Sequence, residues 1–525
     1  MSTPVVEVTD LHVGFPGVEA VRGVSLAVHP GECVAIVGES GSGKSVTART
    51  LLGLTGEEAT VTAGRLAIEG VDASRFGERQ WRSIRGRKVG YVLQDALVSL
   101  DSLRPVGREI AETLKLHRAV PRHEIPRKVV DLLTEVGVPE PAVRARQYPH
   151  ELSGGLRQRA LIASAIACGP RLLIADEPTT ALDVTVQAQI LRLLAERKRA
   201  GQALLLISHD LAVVAELADR ILVMKDGVVV EDGTADQVLG APEHPYTKSL
   251  LAAIPAPSTR APRAGEVVIR ATGLVKTFGK RTAVDGVSFE LRAGQTLGVV
   301  GESGSGKTTT ARLVLGLLKP DRGSVEIDRR QVQVIYQDPL SSFDPRFSVR
   351  RILDEALEVG GVPRRERLGK AVELLEQVGL DGGVLERRPL KLSGGQRQRV
   401  AIARALAPNP RVIVCDEPVS ALDVSIQAQV LDLLTGLQAE LGVAYLFISH
   451  HLGVIHHVSD HVLVMKDGQV VESGAARQVL TTPVDPYTKE LLAAVPGGHH
   501  DQTDPSRRAL PRREQHDRLV RPSIG

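Results

Sequence analysis

The chain repeats itself, and no other feature constrains its fold as much. Residues 38–45 read Gly-Glu-Ser-Gly-Ser-Gly-Lys-Ser and residues 301–308 read Gly-Glu-Ser-Gly-Ser-Gly-Lys-Thr. Leu-Ser-Gly-Gly recurs at 152–155 and 392–395, Asp-Glu-Pro at 176–178 and 416–418, Ala-Leu-Asp-Val at 181–184 and 421–424, and Ile-Ser-His at 207–209 and 448–450. Each copy closes on Pro-Tyr-Thr-Lys-x-Leu-Leu, at 245–251 and 486–492. Order and spacing are both kept. The offset is 240 positions at Leu-Ser-Gly-Gly (393 minus 153) and 240 again at Asp-Glu-Pro (416 minus 176), which excludes chance recurrence of Gly-rich turns. It is 263 at the first motif (301 minus 38) and 243 at Gln94 and Gln337, so the second copy is shorter by 20 residues (263 minus 243), around the missing counterpart of Val71–Lys88. Units of this size are domains rather than solenoid repeats. The expected division is a first domain over 1–255, a Pro/Ala-rich linker over 256–266, a second domain over 267–496, and a disordered, non-periodic tail over 497–525.

Each copy begins its chemistry with a short apolar run, Val34–Val37 or Leu297–Val300, then a Gly-rich loop, then a helix-compatible run. That order, strand to loop to helix, is the context a phosphate-binding loop needs. Gly38, Gly41 and Gly43 let backbone N–H groups turn onto phosphate oxygens, and a helix N-terminus adds its dipole. Lys44 brings a point charge to the outer phosphates, and the Ser45 hydroxyl can ligate Mg²⁺. Gly301, Gly304, Gly306, Lys307 and Thr308 take the same roles in the second copy, with Ser40, Ser303 and Thr309 completing the two cradles.

Two further apolar runs end in carboxylates, Leu172–Ala175 before Asp176-Glu177 and Val412–Cys415 before Asp416-Glu417. Carboxylates so placed lie at the C-terminal edge of a sheet, where open α/β folds bind ligands. Asp176 and Asp416 suit Mg²⁺ held through its water shell. Glu177 and Glu417 suit the orientation or deprotonation of a water that attacks the terminal phosphate.

With these on the page, Leu152–Arg159 and Leu392–Arg399, of the form Leu-Ser-Gly-Gly-x-Arg-Gln-Arg, make the resemblance specific: the sequence resembles an ABC ATPase. The resemblance covers residues 5–255 and 267–496. It implies an α/β P-loop NTPase fold of the ABC type, with two tandem domains. Each would have a mostly parallel core sheet, an antiparallel β subdomain and a helical subdomain. It also implies that Ser153, Gly154 and Gly155, and Ser393, Gly394, Gly395 and Gln396, face the γ-phosphate held by the other domain in a head-to-tail dimer around two ATPs. Gln94 and Gln337 become metal-sensing residues that couple to a membrane partner, and His209 and His450 contact the γ-phosphate. Asp183 and Asp423 cross the dimer interface, and Phe15 and Phe278 stack on adenine. Leu156 departs from the pattern that Gln396 keeps, His451 replaces the aspartate seen at Asp210, and Ala96 replaces the proline seen at Pro339. All six groups assigned chemistry (Lys44, Glu177, His209, Lys307, Glu417, His450) are present, so two competent sites are expected.

Within the family, the Gln-Asp-x-x-x-Ser-Leu/Phe-Asp stretches at 94–101 and 337–344 and the Pro-Tyr-Thr-Lys ends resemble the dipeptide, oligopeptide and nickel importer branch. The partners implied are two integral membrane permeases and an extracytoplasmic solute-binding protein, and the place implied is the cytoplasmic face of the membrane. Two other classes are open to a tandem ATPase. A translation factor acting on ribosomes would carry a long charged helical linker, and a DNA-repair ATPase would carry zinc-ligand cysteines or a long coiled-coil insertion. Three scattered cysteines and a net charge of +3 from 65 basic and 62 acidic residues argue against an iron–sulfur cluster and give no sign of a nucleic-acid partner. His450, His451, His456, His457 and His461 are read as surface histidines spread around one helix rather than a metal site. The transported substrate is not legible in the sequence.

Overall fold

The computed structural model describes residues 3–93, 99–180, 182–255, 265–420 and 422–495. Gln94, Ala96, most of the expected linker and the expected tail fall outside them.

Each half is built on a six-stranded sheet. In the first half the strand order is Val228–Thr234, Arg220–Lys225, Cys33–Val37, Ala203–Ile207, Leu172–Asp176, Val89–Val92. In the second it is Gln469–Ala475, His461–Lys466, Thr296–Val300, Ala444–Ile448, Val412–Asp416, Val332–Ile335. All neighbours run parallel except the hairpin at one edge. The apolar runs read from the sequence are these central strands. Their unbroken hydrophobicity follows from burial on both faces. Cys33, Ala35 and Val37 point to the helical side, where they join a core with Ile110, Leu132 and Ile162. Val34 and Ile36 point the other way, into a core with Val8, Leu26 and Leu66.

That second core belongs to an antiparallel sheet made by the hairpin Val6–Phe15 and Val18–Val28 with Arg65–Ile68, Val71–Asp72 and Thr60–Thr62. Its counterpart is three-stranded: Val267–Phe278, Arg281–Arg292 and Arg322–Glu326. On the far side lie the helices Val106–Leu116, Ile125–Glu135 and Gly154–Ile166, matched by Val349–Val359, Arg367–Gln377 and Gly394–Leu406. Parallel core sheet, antiparallel subdomain and helical subdomain are therefore all present, in two copies.

The length difference between the copies has a packing explanation. Residues 71–88 add the strand Val71–Asp72, which pairs with Arg65–Ile68, and the helix Glu78–Ile84, which seals the end of the helix Lys44–Thr50. Trp81 is 8% exposed and sits edge-on to Phe76, with ring centroids 5.4 Å apart. Gly53 has φ +60°, and a methyl group there would lie 2.6 Å from the indole. Arg85 donates from Nε to the Leu52 carbonyl at 2.8 Å and from Nη2 to the Gly53 carbonyl at 2.9 Å, satisfying carbonyls at a helix C-terminus. In the second copy Arg329 stands over Gly316 instead, on a single turn of 3₁₀ helix, Arg329–Gln331. Trp81→Ala is expected to destabilise the first half by about 3–5 kcal/mol, the usual cost of emptying a buried tryptophan site. Amide exchange should quicken in Val6–Phe15 and Arg65–Ile68 and stay unchanged in Val267–Phe278. Equal loss in both halves would mean that the two cores unfold as one.

One sequence expectation needs correcting. The five histidines near the second half's end do not share a helix: only His456 and His457 lie within Leu452–Val458. His451 caps that helix, its Nδ1 accepting from Val454 N at 3.3 Å, while His461 opens a strand. Cys33 and Cys415 are buried in the central strands and unpaired; burial pushes the Cys33 thiol up to about 12.

Candidate functional site

Because Cys33–Val37, Ala203–Ile207 and Leu172–Asp176 are parallel neighbours, their C-terminal ends line up along one edge. The Gly-rich loop leaves the first strand, His209 follows the second, and Asp176-Glu177 ends the third. Three motifs far apart in sequence meet there by topology alone. Thr296–Val300, Ala444–Ile448 and Val412–Asp416 repeat the arrangement.

The loop wraps around its own lysine. Lys44 Nζ, buried, donates to the carbonyls of Gly38 at 2.8 Å and Glu39 at 2.7 Å. Lys307 Nζ donates to Gly301 and Glu302, both at 2.7 Å. Burial lowers the pKa of each lysine, opposed for Lys44 chiefly by Asp423 and for Lys307 chiefly by Glu417. Glycine is required at Gly43, where φ is +97° and a methyl group would sit 2.4 Å from the Ala20 carbonyl oxygen. Gly306, at φ +102° and 2.3 Å from Ala283 O, is held the same way.

Ser45 Oγ donates to Asp176 Oδ1 at 3.0 Å, and Tyr91 OH donates to Asp176 Oδ2 at 2.9 Å. Burial pushes the Asp176 carboxyl up against the pull of those two bonds. In the second half burial, with Glu417 adding to it, pushes Asp416 up, opposed by the charges of Arg312 and Lys307 and by a Thr308 hydrogen bond. A hydroxyl beside a desolvated carboxylate is an all-oxygen donor set that fits a hard divalent cation such as Mg²⁺, because the cation relieves the buried charge.

Glu177 and Glu417 both have left-handed backbones, φ 48° and 50°, a costly conformation for a residue with a Cβ. Neighbouring strands hold them in it: Glu177 N donates to Ile207 O at 2.8 Å and Glu417 N to Ile448 O at 3.0 Å. Each carboxylate meets the histidine of its own half. Glu177 Oε1 lies 3.2 Å from His209 Nδ1, and Glu417 Oε1 lies 3.0 Å from His450 Nδ1. Burial is the largest influence and pushes Glu177 and Glu417 up, but the bond to histidine, the histidine charge and the phosphate-loop lysine together hold both below the ordinary glutamate value. Burial lowers His209, and its bond to Glu177 together with the charges of Glu177, Asp210 and Asp423 leaves it raised.

The Leu-Ser-Gly-Gly serines cap the helices Gly154–Ile166 and Gly394–Leu406. Ser153 Oγ accepts from Leu156 N at 3.4 Å and Ser393 Oγ from Gln396 N at 3.3 Å. Only the second copy closes the reciprocal bond of a capping box, from Ser393 N to Gln396 Oε1 at 3.1 Å. Leu156 has no oxygen to give and packs instead against the helical core. The departure at Leu156 thus has a local structural consequence.

The two halves meet at the Gly-rich loops. Ser40 N donates to Asp423 Oδ1 at 3.0 Å and Ser425 Oγ to Glu39 Oε1 at 2.7 Å. In the opposite direction Thr185 Oγ1 donates to Glu302 Oε1 at 2.7 Å. Asp183 accepts from Val186 N at 2.9 Å and caps its own helix, Val184–Arg199, while its charge reaches Lys307 of the other half. Phe15 packs partly against the antiparallel core, whereas Phe278 is 49% exposed, with Lys276 Nζ 5.8 Å from its ring centroid. Gln337 is exposed beyond the strand Val332–Ile335. Gln94 lies outside the described residues.

Sequence reasoning missed several participants. Tyr91 aligns with Val334, so the repeat itself masked its bond to Asp176. Thr180 Oγ1, which donates to Glu177 Oε2 at 3.0 Å, sits in a Thr-Thr pair that the second copy replaces with Val-Ser. Glu39 and Glu302 were passed over because only the glycines, hydroxyls and lysine of that motif have assigned roles.

Comparison with known proteins decides the family. Residues 21–180 and 284–420 match the ABC transporter family model, more than half of the chain. The chain belongs to the ABC transporter family. Residues 230–280 and 471–518 also match the oligopeptide/dipeptide transporter C-terminal region, a match that runs through the expected linker and into the expected tail. Among relatives, the peptidoglycan transport ATP-binding protein YejF of Agrobacterium fabrum is 45% identical, covering 94% of this chain and 96% of that protein. The glutathione import ATP-binding protein GsiA of Escherichia coli is 42% identical over 96% of this chain and 91% of its own length. Among solved structures, an archaeal ribosome recycling factor in complex with the ribosomal stalk protein superposes with a TM-score of 0.61. It covers 86% of each chain at 23% identity, which shows a shared fold and no more. This ABC protein is accordingly an ATP-binding ATPase with two tandem cassettes. Among its described residues no helix is long and apolar enough to cross a membrane.

Proposed function

We propose that this ABC ATPase energises a solute importer for peptides or peptide-derived small molecules, and that it hydrolyses ATP at two sites, each completed by the opposite half. One observation carries the reading: each Gly-rich loop is hydrogen-bonded to the segment that follows the other half's Asp-Glu-Pro motif. Contacts of that kind make one half's nucleotide site answerable to the other half's position. The C-terminal-region match and the peptidoglycan and glutathione names of two relatives support the substrate class.

In each site the Gly-rich loop, through Gly38, Ser40, Gly41 and Gly43 or through Gly301, Ser303, Gly304, Gly306 and Thr309, cradles the phosphates. Lys44 or Lys307 neutralises the outer ones. Ser45 and Asp176, or Thr308 and Asp416, would hold Mg²⁺, with Gln94 and Gln337 as further donors. When bound, the cation neutralises charge developing on the transferred phosphoryl group. Glu177 and Glu417, kept ionised by their histidine partners, accept a proton from the attacking water. His209 and His450 hold those carboxylates and lie within reach of the γ-phosphate. Ser153, Gly154 and Gly155 act on the ATP bound at Lys307, and Ser393, Gly394, Gly395 and Gln396 on the ATP bound at Lys44. Phe15 and Phe278 face adenine. Closure around two ATPs and reopening after hydrolysis would move the surfaces near Gln94 and Gln337, where two permease subunits dock at the cytoplasmic face of the membrane. An extracytoplasmic binding protein supplies the solute.

Affinity purification of the tagged full chain from detergent-solubilised native membranes tests this reading. Two multi-span permeases and a solute-binding protein should copurify, and the ligand of that binding protein names the cargo. Ribosomes in place of permeases would overturn the importer and leave the tandem ATPase.

A further inference from the structure

The Pro-Tyr-Thr-Lys ends have no part in the hydrolytic scheme above, yet they touch the nucleotide loops. Tyr246 OH accepts from Glu39 N at 3.0 Å, and Tyr487 OH accepts from Glu302 N at 3.2 Å. Each ring carries a lysine over its face, Lys225 at 5.0 Å and Lys466 at 4.4 Å from the centroids. The helices that present these tyrosines, Pro245–Ala252 and Pro486–Ala493, are anchored to the edge hairpin. Glu231 accepts from Glu243 N and His244 N, and Glu472 accepts from Val484 N and Asp485 N.

Three groups of one residue are therefore committed to three different places. The N–H of Glu39 is fixed by Tyr246 of its own half, and its carbonyl accepts from Lys44 Nζ at 2.7 Å. Its carboxylate accepts from Ser425 Oγ of the other half at 2.7 Å. Glu302 repeats the pattern with Tyr487, Lys307 and Thr185. Neither glutamate touches the Asp-Glu pair or its histidine in these contacts. We infer that Glu39 and Glu302 are positioning residues that couple the lysine of each nucleotide site to apposition of the opposite half, with Tyr246 and Tyr487 as their fixed anchors. The hydroxyl bond exists only while the halves are together. The tyrosine bond prevents the glutamate from swinging out to follow its carboxylate, so the pull is delivered to the carbonyl that aims the lysine. By linkage the reverse holds: a phosphate drawing on the lysine favours the apposed halves.

The inference rests on the two-ATP-site reading, and the experiment separates the two. Steady-state hydrolysis by the full chain is followed against ATP concentration for wild type, Ser425→Ala, Thr185→Val, Glu39→Ala, Glu39→Gln and the double variant Glu39→Ala/Ser425→Ala. Wild type should be cooperative. Ser425→Ala and Thr185→Val should each bring the Hill coefficient towards unity and raise half-saturating ATP about fivefold, the usual worth of one net hydrogen bond, with kcat changed less. Glu39→Gln should stay near wild type, since its amide oxygen still accepts the serine proton. The double variant should be no worse than Glu39→Ala alone. A non-cooperative wild type, additive losses in the double variant, or an unchanged Hill coefficient in Ser425→Ala would overturn the coupling. A contact of purely structural worth would instead lower melting temperature and kcat together. Absence of any wild-type hydrolysis would strike at the two-site reading itself.

Discussion

Glutamine at both Glu177 and Glu417 is expected to slow ATP turnover by about 10²–10⁴-fold, the range typical of losing a positioned general base, while ATP still binds. The substitution is nearly isosteric, so it isolates the charge. The structure gives two reasons to expect a large effect. Each glutamate is held in a left-handed backbone conformation by a hydrogen bond to the neighbouring strand, so its carboxylate direction is set before any substrate arrives. Each is also kept ionised inside a desolvated site by its histidine, and a glutamine amide can do neither the proton transfer nor the charge pairing. Phosphate release and nucleotide retention, measured on the same preparation, check it: turnover should collapse and unhydrolysed ATP should remain bound. Residual activity above about a tenth of wild type would remove these residues from the base role. The single variants are informative because the two sites differ. Tyr91 and Thr180 support only the first half's acidic pair, and Leu156 weakens the cap opposite the second half's lysine. Unequal losses from Glu177→Gln and Glu417→Gln would locate that inequality.

What could be read in the sequence was what depends on local chemistry repeated twice. The central strands were visible as unbroken apolar runs because both faces of a parallel sheet are buried, and the loops were visible because only glycine tolerates φ near +100° against a carbonyl. The fold class followed from motif order. Other features depended on neighbours that a linear reading does not supply. Tyr91 reaches Asp176 only because Val89–Val92 pairs with Leu172–Asp176, and nothing in Val-Gly-Tyr-Val announces it. The histidines of residues 450–461 do not share one helix, because His451 spends its ring on capping and the helix ends at Val458, before Ser459-Asp460. The extra residues 71–88 had no reading in the sequence, since a single tryptophan covering a glycine carries no periodic signal. Comparison of the copies with each other helped where they agree and misled where they differ, and the site contacts peculiar to one half fall at such differences.

Replacement of either phosphate-loop lysine by alanine is expected to lower ATP affinity at its site by about 10²-fold and to abolish hydrolysis there. Two effects add. Lys44 Nζ and Lys307 Nζ each satisfy two loop carbonyls, at 2.7–2.8 Å, and charged hydrogen bonds of this kind are worth about 1.5–3 kcal/mol apiece. Without the ammonium those carbonyls would point into a site about to receive polyanionic phosphate. The loop must then either reorganise or repel the ligand. The second effect is the loss of a buried positive charge beside the outer phosphates, in surroundings that screen poorly. About 3 kcal/mol from either source alone accounts for a hundredfold change in affinity. Arginine should not rescue, because a planar guanidinium cannot occupy a pocket shaped around one compact ammonium and three converging acceptors, Gly38 O, Glu39 O and Ser42 Oγ. Calorimetric titration of the full chain with a slowly hydrolysed ATP analogue measures both sites at once: wild type should bind two, and each single alanine variant should keep one tight site. Two tight sites in either variant would show that the loop's N–H groups alone hold the nucleotide, and the lysine would then be a structural strut of the loop.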